Sequence, residues 1–149
     1  VSDRDALAAL LHAAAHGCGK SQLAIALDLM GIADGEDAGF DLLVHLYALC
    51  FARLAAAHGD FSAINLAAHL SAALAEMVRP TILSHRRPGF QADALALLDV
   101  ATDRAPPEQF DDMENKLRKL SAASEPEAVE IARDARSFWV RVLQPHGGA

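Results

Sequence analysis

The chain predicts an all-α fold: a single-domain antiparallel helical bundle of about seven helices around a central apolar helix at residues 40–58. Three observations carry that expectation. Of its 149 residues, 52% are hydrophobic but only 5% aromatic, and alanine, the best helix former with the least bulk, makes up much of the difference. No segment alternates apolar and polar residues with the β-branched enrichment of a strand. Wound as a helix, residues 40–54 are apolar on nearly every side, with Asp41 and His45 the only polar side chains before Arg53. A helix of that kind has to be enclosed by others.

The elements follow in order. Ser2 and Asp3 cap a first helix reaching about residue 16, which Gly17 and Gly19 end. Ser21 caps a second through Met30, with Leu23, Leu27 and Met30 on one face. Residues 31–39 form an acidic turn around Asp34, Gly35, Glu36 and Asp37. The apolar third helix stops at Gly59. Asp60 caps a fourth that reaches Arg79 and closes at Pro80. Its buried side is Ile64, Ala67, Ala68, Leu74 and Val78, and its polar side includes Asn65, His69 and Glu76.

Residues 81–89 are the least regular. A fifth helix spans about 90–104 with Phe90, Ala94, Leu97 and Ala101 in register. Pro106 and Pro107 break it and suit the first turn of the sixth, whose seam is Phe110, Met113, Leu117 and Leu120. Ser124 caps the seventh, with a core stripe of Ala128, Ile131, Ala132, Ala135, Phe138, Trp139 and Val142. Residues 1–143 read as one helical domain, and 144–149 as a tail that frays. No repeat of solenoid length is present.

Charge narrows the function. A formal net charge of −7 repels phosphate backbones and disfavours a nucleic-acid binder. Cys18 and Cys50 show neither CxxC spacing nor a disulfide framework, so both are expected as free thiols of a reducing cytoplasm. Val1 in place of methionine suggests a trimmed or processed start, and no signal-peptide pattern follows it. Uncharged runs such as residues 61–75 are too short for a membrane span. The chain therefore reads as cytoplasmic, with no membrane partner, and its alanine content suits a GC-rich bacterial genome.

Candidate chemistry begins with the histidines. Asp41 and His45 lie one turn apart, and His69 repeats the spacing on the fourth helix. His12 and His16, at i and i+4, could reach one transition metal, with His45 joining them if the bundle brings the helices together. Neither HExxH nor the ExxH pairs of di-iron bundles occur. The competing reading is histidines that face water or bond to backbone.

Residues 17–21, Gly-Cys-Gly-Lys-Ser, lack the preceding strand and the spaced glycine of a phosphate loop, so they read as a turn between helices. His16 followed by Lys20 only faintly resembles the histidine of helical phosphotransfer proteins, with glycine and lysine in the wrong order. A helix-turn-helix over residues 21–46 would present a recognition helix without basic or amide side chains. Cys50, inside the apolar helix, is expected to be structural.

Arg79, His85, Arg86 and Arg87 form the one compact basic cluster, able to bind an acidic partner, phosphate or carboxylate or simply to face water as a connection. Phe138 and Trp139, with Arg136 and Arg141, are candidates for a dimer seam or for closing the core. The composite expectation is a non-enzymatic helical interaction or regulatory domain that self-associates, with a protein or a second copy as partner. The alternative is a small-ligand or metal-binding bundle, enzymatic in one version, with Asp41, His45 and His69 between helices one, three and four. A third reading has the acidic turn at residues 34–37 mimic an anionic ligand.

Overall fold

The computed structural model describes residues 3–144 and is all-α. Its seven helices are α1 (Asp3–Ala15), α2 (Gly19–Ile32), α3 (Ala38–Ala56), α4 (Phe61–Met77), α5 (Arg87–Asp103), α6 (Phe110–Ala123) and α7 (Pro126–Val142). Single 3-10 turns at Ser84–Arg86 and Pro107–Gln109 lead into α5 and α6. The expected Ser2 cap and the tail beyond Gln144 lie outside the described residues.

Helices α1 to α5 pack each on the next, and α6 and α7 both pack on α5. The connections are short because consecutive helices run up and down beside each other. Alanines at the crossings let the backbones approach: Ala48, Ala52, Ala55 and Ala56 of α3, Ala63, Ala67 and Ala68 of α4, and Ala96 and Ala101 of α5 are all buried in one core. The face expected for α4 is the face it buries, with Ile64, Ala67, Leu74 and Val78 fully enclosed.

The most enclosed helix is α5. It packs against α4, α6 and α7 and buries residues on every side, from Gln91 to Thr102. The apolar helix α3 lies within the bundle between α2 and α4 and buries Asp41, Val44, Ala48, Leu49, Ala52, Ala55 and Ala56. Its enclosure is partial. Phe40, Leu43, Tyr47 and Leu54 are 45%, 50%, 57% and 52% exposed, so the expectation that neighbours wrap it on all sides does not hold. Helices α5, α6 and α7 are drawn together elsewhere, and among the described residues only α7 approaches the far side of α3, at its C-terminal end. Leu27 of α2 is likewise exposed, since Gln22, Ile25 and Ala26 take the inner face of that helix.

Among the described residues, α3 is the one helix long and apolar enough to cross a membrane, with 33% of the span buried inside the bundle. It reaches that length only with Asp41 and Arg53 inside it, so the uncharged runs remain shorter than a span. The same helix carries Asp41, His45 and an ion-paired Arg53.

Polar ties fix the helix positions. Gln22 Nε2 donates to the Ala14 carbonyl at 3.0 Å, holding the end of α1 to α2. Arg136 of α7 pairs through Nε with Asp99 and through Nη2 with Asp103 at 2.9 Å, clamping α7 to α5. Arg87 Nη2 reaches Glu76 at 3.0 Å and its Nη1 lies 3.8 Å from Glu125, joining α4, α5 and the start of α7.

The turn between α3 and α4 depends on Gly59, whose φ of +88° is left-handed. Arg104 Nη1 donates to the Gly59 carbonyl at 3.0 Å, and a Cβ at this position would meet that nitrogen at 3.1 Å. Gly59→Ala should therefore lower stability by about 1–2 kcal/mol through left-handed strain. The midpoint of a denaturant titration measures it.

Candidate functional site

Asp41 and His45, in the first half of α3, bond to backbone groups of its own first turns and its entry turn. Asp37 caps the helix, accepting from Phe40 N at 3.0 Å. The buried Asp41 carboxylate accepts from Gly35 N at 2.9 Å through Oδ2, folding the acidic turn back onto the first helical turn. Asp34 Oδ1 accepts from Glu36 N at 2.9 Å. Negative charge at a helix start is stabilised by the dipole, so Asp34, Asp37 and Asp41 build the turn. Glu36 stays exposed at its tip.

Nor do Asp41 and His45 meet side chain to side chain. His45 Nδ1–H donates to the Asp41 carbonyl at 2.7 Å. His69 does the same to Asn65 at 2.7 Å, and His16 to His12 at 2.8 Å. This shared habit leaves three rings aligned along their own helices. His12 and His16 stack with centroids 4.2 Å apart on the exposed side of α1, while His69 faces a groove bounded by α4, α5 and α6. No group of three His, Cys, Asp or Glu side chains among the described residues could hold a metal ion. The structure does not bring His12, His16, His45 and His69 together.

The basic loop is partly consumed as well. Arg87 is committed to Glu76 and Glu125, and Arg79 Nη1 lies 3.5 Å from Glu76. The Arg87 guanidinium, first by hydrogen bond, holds the Glu76 carboxyl below its usual range. His85 Nδ1–H donates to the Ile82 carbonyl at 3.2 Å. Arg86 is exposed, and so, almost completely, is Ile82.

Of the expected seam on α7, Trp139 is interior, and Arg136 is half-exposed but committed within the chain. Trp139 is 3% exposed, with Arg53 stacked over its ring at 5.1 Å and Phe138 edge-on at 5.6 Å. Arg136 is held by Asp99 and Asp103 within the chain. Phe138 and Arg141 remain exposed.

What the structure adds is a continuous apolar face. Phe40, Leu43, Tyr47, Cys50, Leu54 and Ala57 are all exposed, and their alternating spacing of three and four is the seam of a helix that packs against another helix. Cys50 belongs to this seam and is exposed, contrary to its expected structural burial. At its C-terminal half the seam borders a groove of about 480 Å³ lined by Cys50, Arg53, Leu54, Ala57, Phe138, Trp139 and Val142. Arg53 Nη1 is held there by Asp93 of α5 at 2.8 Å. Burial pushes the Asp93 carboxyl up, and the Arg53 charge pulls against it.

The three-four spacing was visible in the sequence, but so was an equal spacing on the opposite side of α3. In a helix apolar all round, periodicity cannot tell a face that packs inward from one left open.

A second feature lies at the start of α2. Cys18 occupies the N-cap position between Gly17 (φ +89°) and the helix. Ser21 Oγ–H donates to its sulfur at 3.2 Å. That hydrogen bond, then the Ser21 N–H and the Lys20 N–H and charge, hold the Cys18 thiol below its usual range. The signal was legible in retrospect: a cysteine one position before a helix with a serine three residues on.

No protein-family model, curated protein or solved structure matches this chain.

Two expectations follow from the site. Trp139→Ala should cost about 3–5 kcal/mol as a core deletion, whereas Phe138→Ser should cost the monomer less, about 1–2 kcal/mol, for the half-buried ring and its edge-on contact; thermal or denaturant unfolding compares them. For Cys18, a lowered folded-state pKa means more thiolate at neutral pH. Alkylation of a Cys50→Ser protein should therefore follow a pH profile with its midpoint below that of an unstructured cysteine peptide measured alongside it. Ser21→Ala should move that midpoint upward.

Proposed function

We propose that this protein is a non-enzymatic helical interaction domain of the bacterial cytoplasm that self-associates through the open face of α3. The observation that carries the reading is the seam Phe40, Leu43, Tyr47, Cys50, Leu54 and Ala57, exposed along the whole length of a helix whose opposite side is core. A solvated helix face normally carries charge; this one has none on the seam.

Area supports a second copy as the occupant. Side chains of this size offer roughly 150–250 Å² each. Half-exposure of Phe40, Leu43, Tyr47 and Leu54, with Phe138 beside them, leaves on the order of 450–500 Å² open per subunit. A two-fold contact covering both copies then buries about 1,000 Å², the lower limit of a specific interface. Patches of that kind on soluble chains mark docking surfaces. An isologous contact also satisfies both copies at once without leaving an open apolar end.

Nucleic acid does not fit the reading, because the net charge is −7 and the loop arginines are partly neutralised by Glu76 and Glu125. Catalysis by Asp41 and His45 lacks support, since both are tied to backbone groups.

Sedimentation equilibrium of the whole chain should give twice the monomer mass. Because the contact is apolar, raising salt should leave that mass unchanged, unlike association through the acidic turn. Tyr47→Lys sets two charges into the centre of the contact and should weaken dimerisation by about a hundredfold or more, with helix content by circular dichroism unchanged.

A further inference from the structure

We infer that the two copies pair with their α3 helices antiparallel, the two-fold axis crossing between Tyr47 and Cys50, and with Phe40 of each copy seated in the other's groove between α3 and α7. The inference rests on the self-associating reading above and adds the orientation and register of the contact.

Size complementarity carries it. The seam is asymmetric along its length: bulky Phe40, Leu43 and Tyr47 occupy the N-terminal half, and Cys50, Leu54 and Ala57 the C-terminal half. Antiparallel pairing about that axis opposes Phe40 to Ala57 of the partner subunit, Leu43 to Leu54 of the partner subunit and Tyr47 to Cys50 of the partner subunit. Each large side chain then faces an equal or smaller one, as interdigitated cores require. Parallel pairing sets Tyr47 on Tyr47 and Phe40 on Phe40, overfilling one end, and Ala57 on Ala57, leaving a void at the other.

The groove agrees with this arrangement. Its volume of about 480 Å³ opens beside Leu54 and Ala57, and Phe138, Trp139 and Val142 make its far wall. Those are the residues toward which antiparallel pairing delivers an aromatic ring from the partner's Phe40. Phe40 itself stands 45% exposed in the first turn of α3, with its backbone fixed by the Asp37 cap. In a parallel pair both grooves would stay empty.

Charge favours the same orientation. Antiparallel pairing carries the acidic turn of Asp34, Glu36 and Asp37 toward the other copy's end of α3. That end carries Lys20 and Asp60 on one cavity, whose charges offset each other, so the orientation avoids repulsion without adding a salt-sensitive attraction. Parallel pairing would instead stack two acidic turns on each other. Opposed helix dipoles favour the antiparallel pair too.

The test places a nitroxide label at the exposed turn through Glu36→Cys, in a chain whose Cys18 and Cys50 are replaced by serine, and reads the distance by pulsed electron paramagnetic resonance. Antiparallel pairing separates the two labels by roughly 35–40 Å, from a rise of about 1.5 Å per residue on either side of the axis. Parallel pairing brings them within about 15 Å. Phe40→Ala, read by sedimentation equilibrium, should weaken the dimer about tenfold or more.

A long distance together with a weakened Phe40→Ala dimer supports the inference. A stable dimer with a short distance overturns the antiparallel orientation while leaving self-association intact. A long distance with Phe40→Ala unaffected overturns the seating in the groove. A wild-type chain that sediments as a monomer overturns the underlying reading, and with it this one, handing the face to a different partner or to a membrane surface.

Discussion

Close approach of alanine-lined helices in the α3–α4–α5 core is the constraint that shapes this molecule. Alanine needs almost no side-chain ordering, so helices come together at little entropic cost. Each alanine also buries little apolar area, and a core filled this way needs larger anchors at intervals. Ile64, Leu70, Leu74, Leu97 and Met113 supply them, all fully buried. With those anchors on α4, α5 and α6, the centre of gravity of the core falls on α4 and α5. The most apolar helix, α3, is left beside that centre and not inside it.

The position of α3 follows from where its neighbours are needed. Once α5 has drawn α6 and α7 onto itself, α7 through the Arg136 clamp, only the edge of α7 at Trp139 is left to reach the outer side of α3. A helix that is apolar all round then exposes half of itself. In water that is a standing cost of leaving large side chains wet, and it is relieved when another apolar surface covers them. The open face is thus a product of unequal helix distribution, and the polar residues of α3 are compatible with it. Asp41 turns toward Gly35, His45 bonds along the helix, and Arg53 is held under Asp93 and over Trp139. None of them places a charge on the seam.

Several expectations turned on related causes. Trp139 with Arg136 was open to two readings, a dimer seam or closure of the core; Trp139 closes the core, and Arg136, half-exposed, is tied to Asp99 and Asp103 where α7 lands on α5. Cys50 has the composition of a buried thiol, yet it faces out because its side of α3 is uncovered. The histidines at helical spacing were legible as pairs on single helices. Whether different helices would aim them at one point depended on rotations about the helix axes, which local spacing does not encode. His69 turned toward α6, and His12 and His16 toward water.

By itself, the chain's residue order determined the class of fold, the number of helices and most of the turns. Prolines, glycines and the absence of strand alternation act over a few residues and need no distant partner; the caps were less legible, since those expected at Ser21 and Ser124 fall instead at Cys18 and Glu125. It also determined the inward face of α4, where apolar and polar residues separate cleanly around the helix. Tertiary structure alone decided which side of α3 stays open. A uniformly apolar helix has no intrinsic inside, so the choice passes to the neighbours that reach it: α2 and α4 on one side, and among the described residues only α7, at the C-terminal end, on the other.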